Sequence, residues 1–165
     1  MMRKVYVHGW CELKPGDPEP DYRSLFSEKE ARRMGRLLKR AVWTSSQALA
    51  QAGIAVPDAV VIGTDNIDDA QLQPAHSKQS THKTIASRIA IRLGAHGYNT
   101  TYSHGGHPFE SAFQDAWTKI ALGDIDTALV GWFDEMTHAL AVVLSANPEG
   151  AAMSFPEGPW TFTRF

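Results

Sequence analysis

Apolar and polar residues follow two rhythms along this chain, one helical and one extended, and the switches between them fall at glycine and proline. The clearest helical rhythm is Phe109, Ala112, Phe113, Ala116, Trp117 and Ile120, spaced as one face of a helix. Ser111, Gln114, Asp115, Thr118 and Lys119 make its opposite side polar, and Gly123-Asp124 ends it. Before it, Ser80 and Thr81 are placed to cap a helix that buries Ile85, Ile89 and Leu93 and stops at Gly94. Asn99 to Ser103 then reads as a strand, rich in β-branched and aromatic residues. Thr127 to Phe133 is a nearly continuous apolar strand.

The same reading covers the rest of the chain. Arg3 to Trp10 is a predicted first strand, with Val5 and Val7 on one face and Tyr6 and His8 on the other. Cys11 follows it, and Pro15, Gly16, Pro18 and Pro20 enforce a loop up to about Tyr22. Ser27 with Glu30 has capping-box spacing and opens one long helix running to Gly53. Its inner stripe is Ala31, Met34, Leu38, Ala41, Val42, Ser45, Leu49 and Ala52. Pro57 breaks the chain, Ala59 to Ile62 has the composition of a strand buried on both faces, and Gly63 to Lys78 reads as a polar surface loop. Ala139 to Ser145 and Ala151 to Phe155 are further candidate strands around an Asn147–Gly150 turn. The order β-α-β-α-β-α-β predicts an α/β layered fold with a largely parallel sheet.

Composition narrows the class. With 165 residues, 43% hydrophobic and 21% charged, the chain is long enough for one domain with its own core. A formal charge of -2 argues against phosphate-backbone binding, so no nucleic-acid partner is expected. A single cysteine excludes an internal disulfide framework and a cysteine-based zinc site, and fits a reducing compartment. Met1 to Trp10 lacks a signal-peptide pattern and no apolar run is long enough to span a bilayer, so a cytoplasmic protein without membrane contact is expected.

Candidate chemistry concentrates at Tyr102-Ser103-His104-Gly105-Gly106-His107, a strand feeding a helix N-terminus through glycines. Unpaired backbone N–H groups in such a turn favour developing negative charge, so Gly105-Gly106 is a candidate oxyanion hole with His104 or His107 as base. Ser103 and His104 are neighbours on a predicted strand, so they point to opposite faces and make a poor nucleophile–base dyad. His104 and His107, with His96 or His138, lack the spacing of a metal site, and no metal or other cofactor is expected. Asp134-Glu135 are adjacent and poorly placed to converge on one substrate, and Cys11 has no basic neighbour to activate it. Arg32, Arg33, Arg36, Lys39 and Arg40 form a basic cluster suited to an acidic partner or to a solvated helix face.

Several segments together resemble the N-terminal half of a β-ketoacyl synthase of the thiolase fold. They are Ala31-Arg32-Arg33-Met34, Ala48-Leu49 with Ala52-Gly53, Val61-Ile62-Gly63-Thr64 and Ser80-Thr81-His82 with Thr84-Ile85-Ala86. Gly97-Tyr98-Asn99-Thr100-Thr101, Phe109-Glu110-Ser111-Ala112 and Leu129-Val130-Gly131 with Asp134-Glu135 continue the set in order. The chain is similar, more narrowly, to short ketosynthase-like and chain-length-factor-like proteins of bacterial polyene pathways. The resemblance implies a single domain over residues 1–165, a five-stranded mixed, mostly parallel sheet and helices on both faces. It also implies subunit pairing through Asn99, Thr100, Thr101, Tyr102 and Ser103, as a homo- or heterodimer, and contact with an acyl carrier protein. In the resemblance Asp134-Glu135 are structural.

The departures carry the functional expectation. Counted without a gap between Gly97-Tyr98-Asn99 and Leu122-Gly123-Asp124, the family's nucleophilic cysteine falls on Gly106. The C-terminal half that supplies the family's two catalytic histidines is expected to be missing, and Gly63 to Ser80 is shorter than its counterpart. The favoured expectation is a catalytically silent subunit that supports a partner β-ketoacyl-ACP synthase in polyene or fatty-acid-like biosynthesis. The alternatives are a small acyl-thioester transferase or hydrolase using the Gly105-Gly106 turn, and a non-enzymatic homodimer that binds an acyl chain or carrier.

Overall fold

Strands whose residues are apolar on both sides need cover on both sides, and they occupy the centre of one mixed sheet. The computed structural model describes residues 1–65, 85–103, 107–134, 138–151 and 153–154. β1 (Tyr6–Leu13) leads through a 3-10 turn (Tyr22–Ser24) to α1 (Glu28–Arg33), α2 (Arg36–Ala52) and β2 (Ala59–Asp65). α3 (Ile85–Leu93), β3 (Tyr98–Tyr102), α4 (Pro108–Leu122), β4 (Thr127–Asp134), β5 (Ala139–Ser145) and the two-residue β6 (Met153–Ser154) follow.

The sheet order is β3-β2-β4-β5-β1-β6. β1 to β5 are the expected five-stranded mixed sheet, and β6 adds a short sixth strand beside β1. β1 to β4 all run in one direction and β5 runs against them, the mixed, mostly parallel arrangement expected. β2 is parallel to β3 and β4, whereas β4–β5, β5–β1 and β1–β6 are antiparallel. Too few residues separate Asp134 from Ala139 for the crossover that a parallel pair requires.

Three expectations are corrected. The long first helix is split, because Met34 (φ -105°, ψ 130°) is extended and Gly35 (φ -63°, ψ 158°) becomes the N-cap of α2. Glycine weakens a helix interior, and the break lets Ala31 and Met34 pack on the core from outside the α2 register. β2 continues through Gly63 and Thr64 to Asp65, because β4 pairs with it as far as Asp134. β1 extends to Leu13, so Cys11 lies within the strand, and a register shift between Val7 and Gly9 accompanies burial of His8. The Ser27–Glu30 capping box forms, and α2 and α4 end on left-handed Gly53 and Gly123 as the sequence predicts. Ser80 and Thr81 lie outside the described residues.

Alternation sorts the side chains into two cores. Val60, Ile62, Leu129, Phe133, Ala141 and Val143 face α2 and α3. Ala59, Val61, Ala128, Val130 and Leu144 face α4, together with Val5 and Val7. Phe133 is fully buried, and its ring fills the space that a side chain at Gly131 would need. Phe133→Ala is expected to cost about 3–5 kcal/mol in urea unfolding, the range for truncating a buried aromatic.

Candidate functional site

The winding of the sheet selects one edge. β2 to β3 steps outward by one strand, and β3 to β4 steps back across β2. Right-handed crossovers then require the two connecting helices to lie on opposite faces, as α3 and α4 do. Chain leaving the carboxyl ends of β2 and β3 therefore diverges, which is where doubly wound sheets place ligands. Ser103 and His107 flank the turn at this edge. His104, Gly105 and Gly106 lie outside the described residues, as does Glu135.

Two contacts position the turn. A Cβ on Gly63 would meet the Pro108 carbonyl carbon and oxygen at 2.4 Å and the Phe109 nitrogen at 2.6 Å, so the first turn of α4 rests directly on the β2 backbone. Asp115 on α4 then ties down the outermost strand: Tyr98 Oη and Tyr102 Oη donate to its Oδ2 at 2.8 and 3.1 Å. Lys119 lies 4.2 Å from the centre of the Tyr98 ring. Burial, reinforced by the hydrogen bond to Asp115, pushes the Tyr102 phenol up to about 12. On the other face, Ser87 Oγ donates to Asn99 Oδ1 at 3.0 Å and the Ala86 N–H reaches Thr101 Oγ1 at 3.3 Å. Asn99, Thr100, Thr101 and Tyr102 thus sit on an edge strand whose outer side pairs with no other described strand.

His107 is the N-cap residue of α4, but its side chain makes no capping hydrogen bond. The imidazole is exposed, with Nδ1 3.9 Å from Glu110 Oε1. His96 precedes β3 and His107 follows it, so the strand's length separates them by roughly 16 Å at about 3.3 Å per residue. His138 is at the same edge as His107 but engaged elsewhere: its Nε2 is 2.5 Å from Glu12 Oε1 and its ring lies 4.6 Å from that of Trp132. No group of three or more potential metal ligands forms among the described residues.

Cys11 lies on the α2 side of the sheet, whereas Glu12 and His138 are on the α4 side, so the thiol and the paired imidazole cannot act together. Burial pushes the Cys11 thiol up, which keeps it protonated and unreactive. The Glu12–His138 pair was not visible in the sequence, since their partnership comes from strand pairing across the sheet.

The basic cluster is less uniform than its sequence suggests. Arg32 and Arg33 are exposed, with Arg32 3.6 Å from Glu28. Arg36 is held at 2.8 Å by Glu19, and Lys39 lies 5.7 Å from the Tyr22 ring. Arg40 is 3% exposed, which removes it from any solvent-facing docking patch. The predicted stripe of Leu38, Ala41, Val42, Ser45 and Leu49 is buried as expected, and burial extends beside it to Leu37, Arg40, Thr44 and Ala48.

Two crevices of about 490 and 500 Å³ lie at the opposite edge of the sheet, one around Asp58, His96 and Asp124, the other around His8, Gly53 and Asn147. Neither approaches the turn. No described helix is long and apolar enough to cross a membrane.

A mixed sheet wound in both directions, with a strand–turn–helix at its carboxyl edge, defines a thiolase-type α/β half-fold. Residues 12–160 match the β-ketoacyl synthase, N-terminal domain family, and the chain belongs to that family. Solved structures agree on the fold. The 3-oxoacyl-(acyl carrier protein) synthase III of Pseudomonas aeruginosa PAO1 superposes with a TM-score of 0.64 at 21% identity, over 92% of this chain and 55% of its own. The ketosynthase from module 1 of the bacillaene synthase of Bacillus amyloliquefaciens FZB42 gives 0.67 at 15% identity, over 87% and 40%. A type II polyketide ketosynthase, solved in complex with its acyl-carrier protein, gives 0.73 at 12% identity, over 93% and 67%. This chain spans about half the length of the first of these proteins. No curated protein matches it in sequence.

Gly63→Ala is expected to destabilise the protein by at least about 2 kcal/mol in urea unfolding, because the added methyl meets backbone rather than a movable side chain. The Tyr102 shift predicts a second result. A raised phenol contributes stability below pH 10, and that contribution is lost as pH climbs from 10 toward 12. Absorbance titration at 295 nm should show a transition near pH 12 that is missing in Tyr102→Phe and moves toward 10 in Asp115→Asn.

Proposed function

We propose that this chain is a catalytically silent, chain-length-factor-like subunit that pairs with a complete β-ketoacyl-ACP synthase in polyene or fatty-acid-like biosynthesis, in the cytoplasm. The observation that supports this best is the unequal cover of the sheet. On the α2 side, Ala139, Ala141 and Val143 of β5 are all buried. On the other side, α4 lies over β2 and β4, while Leu140, Val142 and Trp132 are half-buried and Trp10 of β1 is 49% exposed. An apolar sheet face of this kind is costly in water and suits a partner surface. The matched proteins carry further chain beyond the region shared with this one, and a partner synthase is the occupant this reading assigns to the face.

Silence rests on composition. Counted without a gap, the position of the family nucleophile falls on Gly106, and the single thiol is Cys11, on the other face of the sheet from the Glu12–His138 pair. In this reading residues 1–165 act as one N-terminal-type ketosynthase domain, with Asn99 to Ser103 pairing along the β3 edge. Arg32 and Arg33, exposed on α1, are the residues left to meet an acidic carrier protein.

Co-expression with the partner synthase should give a heterodimer that survives gel filtration. Trp10→Asp should weaken it by about tenfold or more, as loss of a large aromatic anchor does. The isolated chain should form no covalent acyl adduct from acyl thioesters. Separate elution of the two proteins, or an adduct with turnover to match, overturns the reading.

A further inference from the structure

We propose that Arg36 and Arg40, at the start of α2, form a binding site for a phosphate-class oxyanion, which Glu19 fills from within the chain and yields to the ligand. The first observation is a buried guanidinium that is mostly unsatisfied. Arg40 is 3% exposed and gives one nitrogen, Nη1, to Glu19 Oε1 at 3.1 Å. Its Nε and Nη2 are buried with no hydrogen-bond partner. Unpaired donors on a buried cation are costly, so each calls for an occupant that satisfies it.

The second observation is what Glu19 supplies. Its Oε1 accepts from Arg36 Nε at 2.9 Å and from Arg40 Nη1, and Arg36 Nη2 lies 2.8 Å away. Its Oε2 accepts from Tyr22 Oη at 2.6 Å. Both oxygens of this planar group are used, and two Arg40 donors remain. A tetrahedral oxyanion presents more acceptor oxygens in more directions, and guanidinium forks match it well.

The third is the helix itself. α2 is 17 residues long, starts at Gly35 without a capping side chain and has no acidic residue in its first turn. α1, directly before it, has a full capping box and both Glu28 and Glu30. The start of α2, whose first residue is Arg36, therefore has neither a capping side chain nor an acidic residue of its own to offset its positive dipole end. Lys39 lies 5.7 Å from the ring of Tyr22, whose hydroxyl bonds Glu19. Glu19 comes from the exposed segment between Leu13 and Tyr22, which forms no helix or strand, so its withdrawal breaks no ladder.

The proposal stands apart from the partner-synthase reading, and its test uses the full chain alone. Thermal unfolding and tryptophan fluorescence are followed on titration with inorganic phosphate at fixed ionic strength, chloride being the control, with glycerol phosphate in parallel to separate free phosphate from an ester. Phosphate should raise Tm where chloride does not, and Glu19→Gln should bind it about tenfold more tightly, the plug having been neutralised. Adding Arg36→Gln, at an exposed position that folding tolerates, should remove the response. If Glu19→Gln is no more responsive than the wild type, or the Arg36→Gln double variant responds equally, the site does not exist.

Discussion

The functional side of this molecule depends on one contact between backbones. Where β2 passes under α4, Gly63 lets the carbonyl of Pro108 approach closer than any side chain would permit. That approach sets the height of α4 above the sheet, and so the start of the helix relative to the carboxyl ends of β2 and β3. Asp115, two turns further along, then reaches both Tyr98 and Tyr102 and holds the outermost strand in register with the helix. β3 and α4, the elements on either side of residues 104–106, therefore have their separation fixed elsewhere.

The same sheet is sealed on one side and partly open on the other. α2 and α3 cover it from β3 across to β1, and the side chains beneath them are almost all buried. α4 alone covers the second side among the described residues, and it is centred on β2 and β4. The strip of β4, β5 and β1 beyond it carries Trp132, Leu140, Val142 and Trp10, capped at the carboxyl edge by Glu12 and His138. Burying such a strip is worth about 25 cal/mol per Å² of apolar surface, so two tryptophans make it a substantial driving force for association.

Among the described residues, the chemistry available at the carboxyl edge is modest. His107 is exposed and not fixed by a capping bond, His138 is committed to Glu12, and Cys11 is a protonated thiol on the far face. A β-ketoacyl synthase scaffold without an activated thiol retains shape, an edge strand and an apolar surface.

Much of the architecture was legible because it is local. The period of Phe109 to Ile120, the Ser27–Glu30 box, the glycines that end α2 and α4, and the apolar runs of β4 and β5 each encode an element within a few residues. What stayed hidden depends on which distant segments meet. The extension of β2 through Gly63 to Asp65 needed the pairing with β4, and the antiparallel share of the sheet needed the partners of β1 and β5. Arg40 reads as a surface charge in the sequence because its burial follows from what packs around it, including a loop that brings Glu19 across. The sequence by itself determined the elements and the family, since these reside in residue type and short-range spacing. Tertiary structure alone decided which charges are buried and which apolar face is left open, because burial is a property of what packs against a residue.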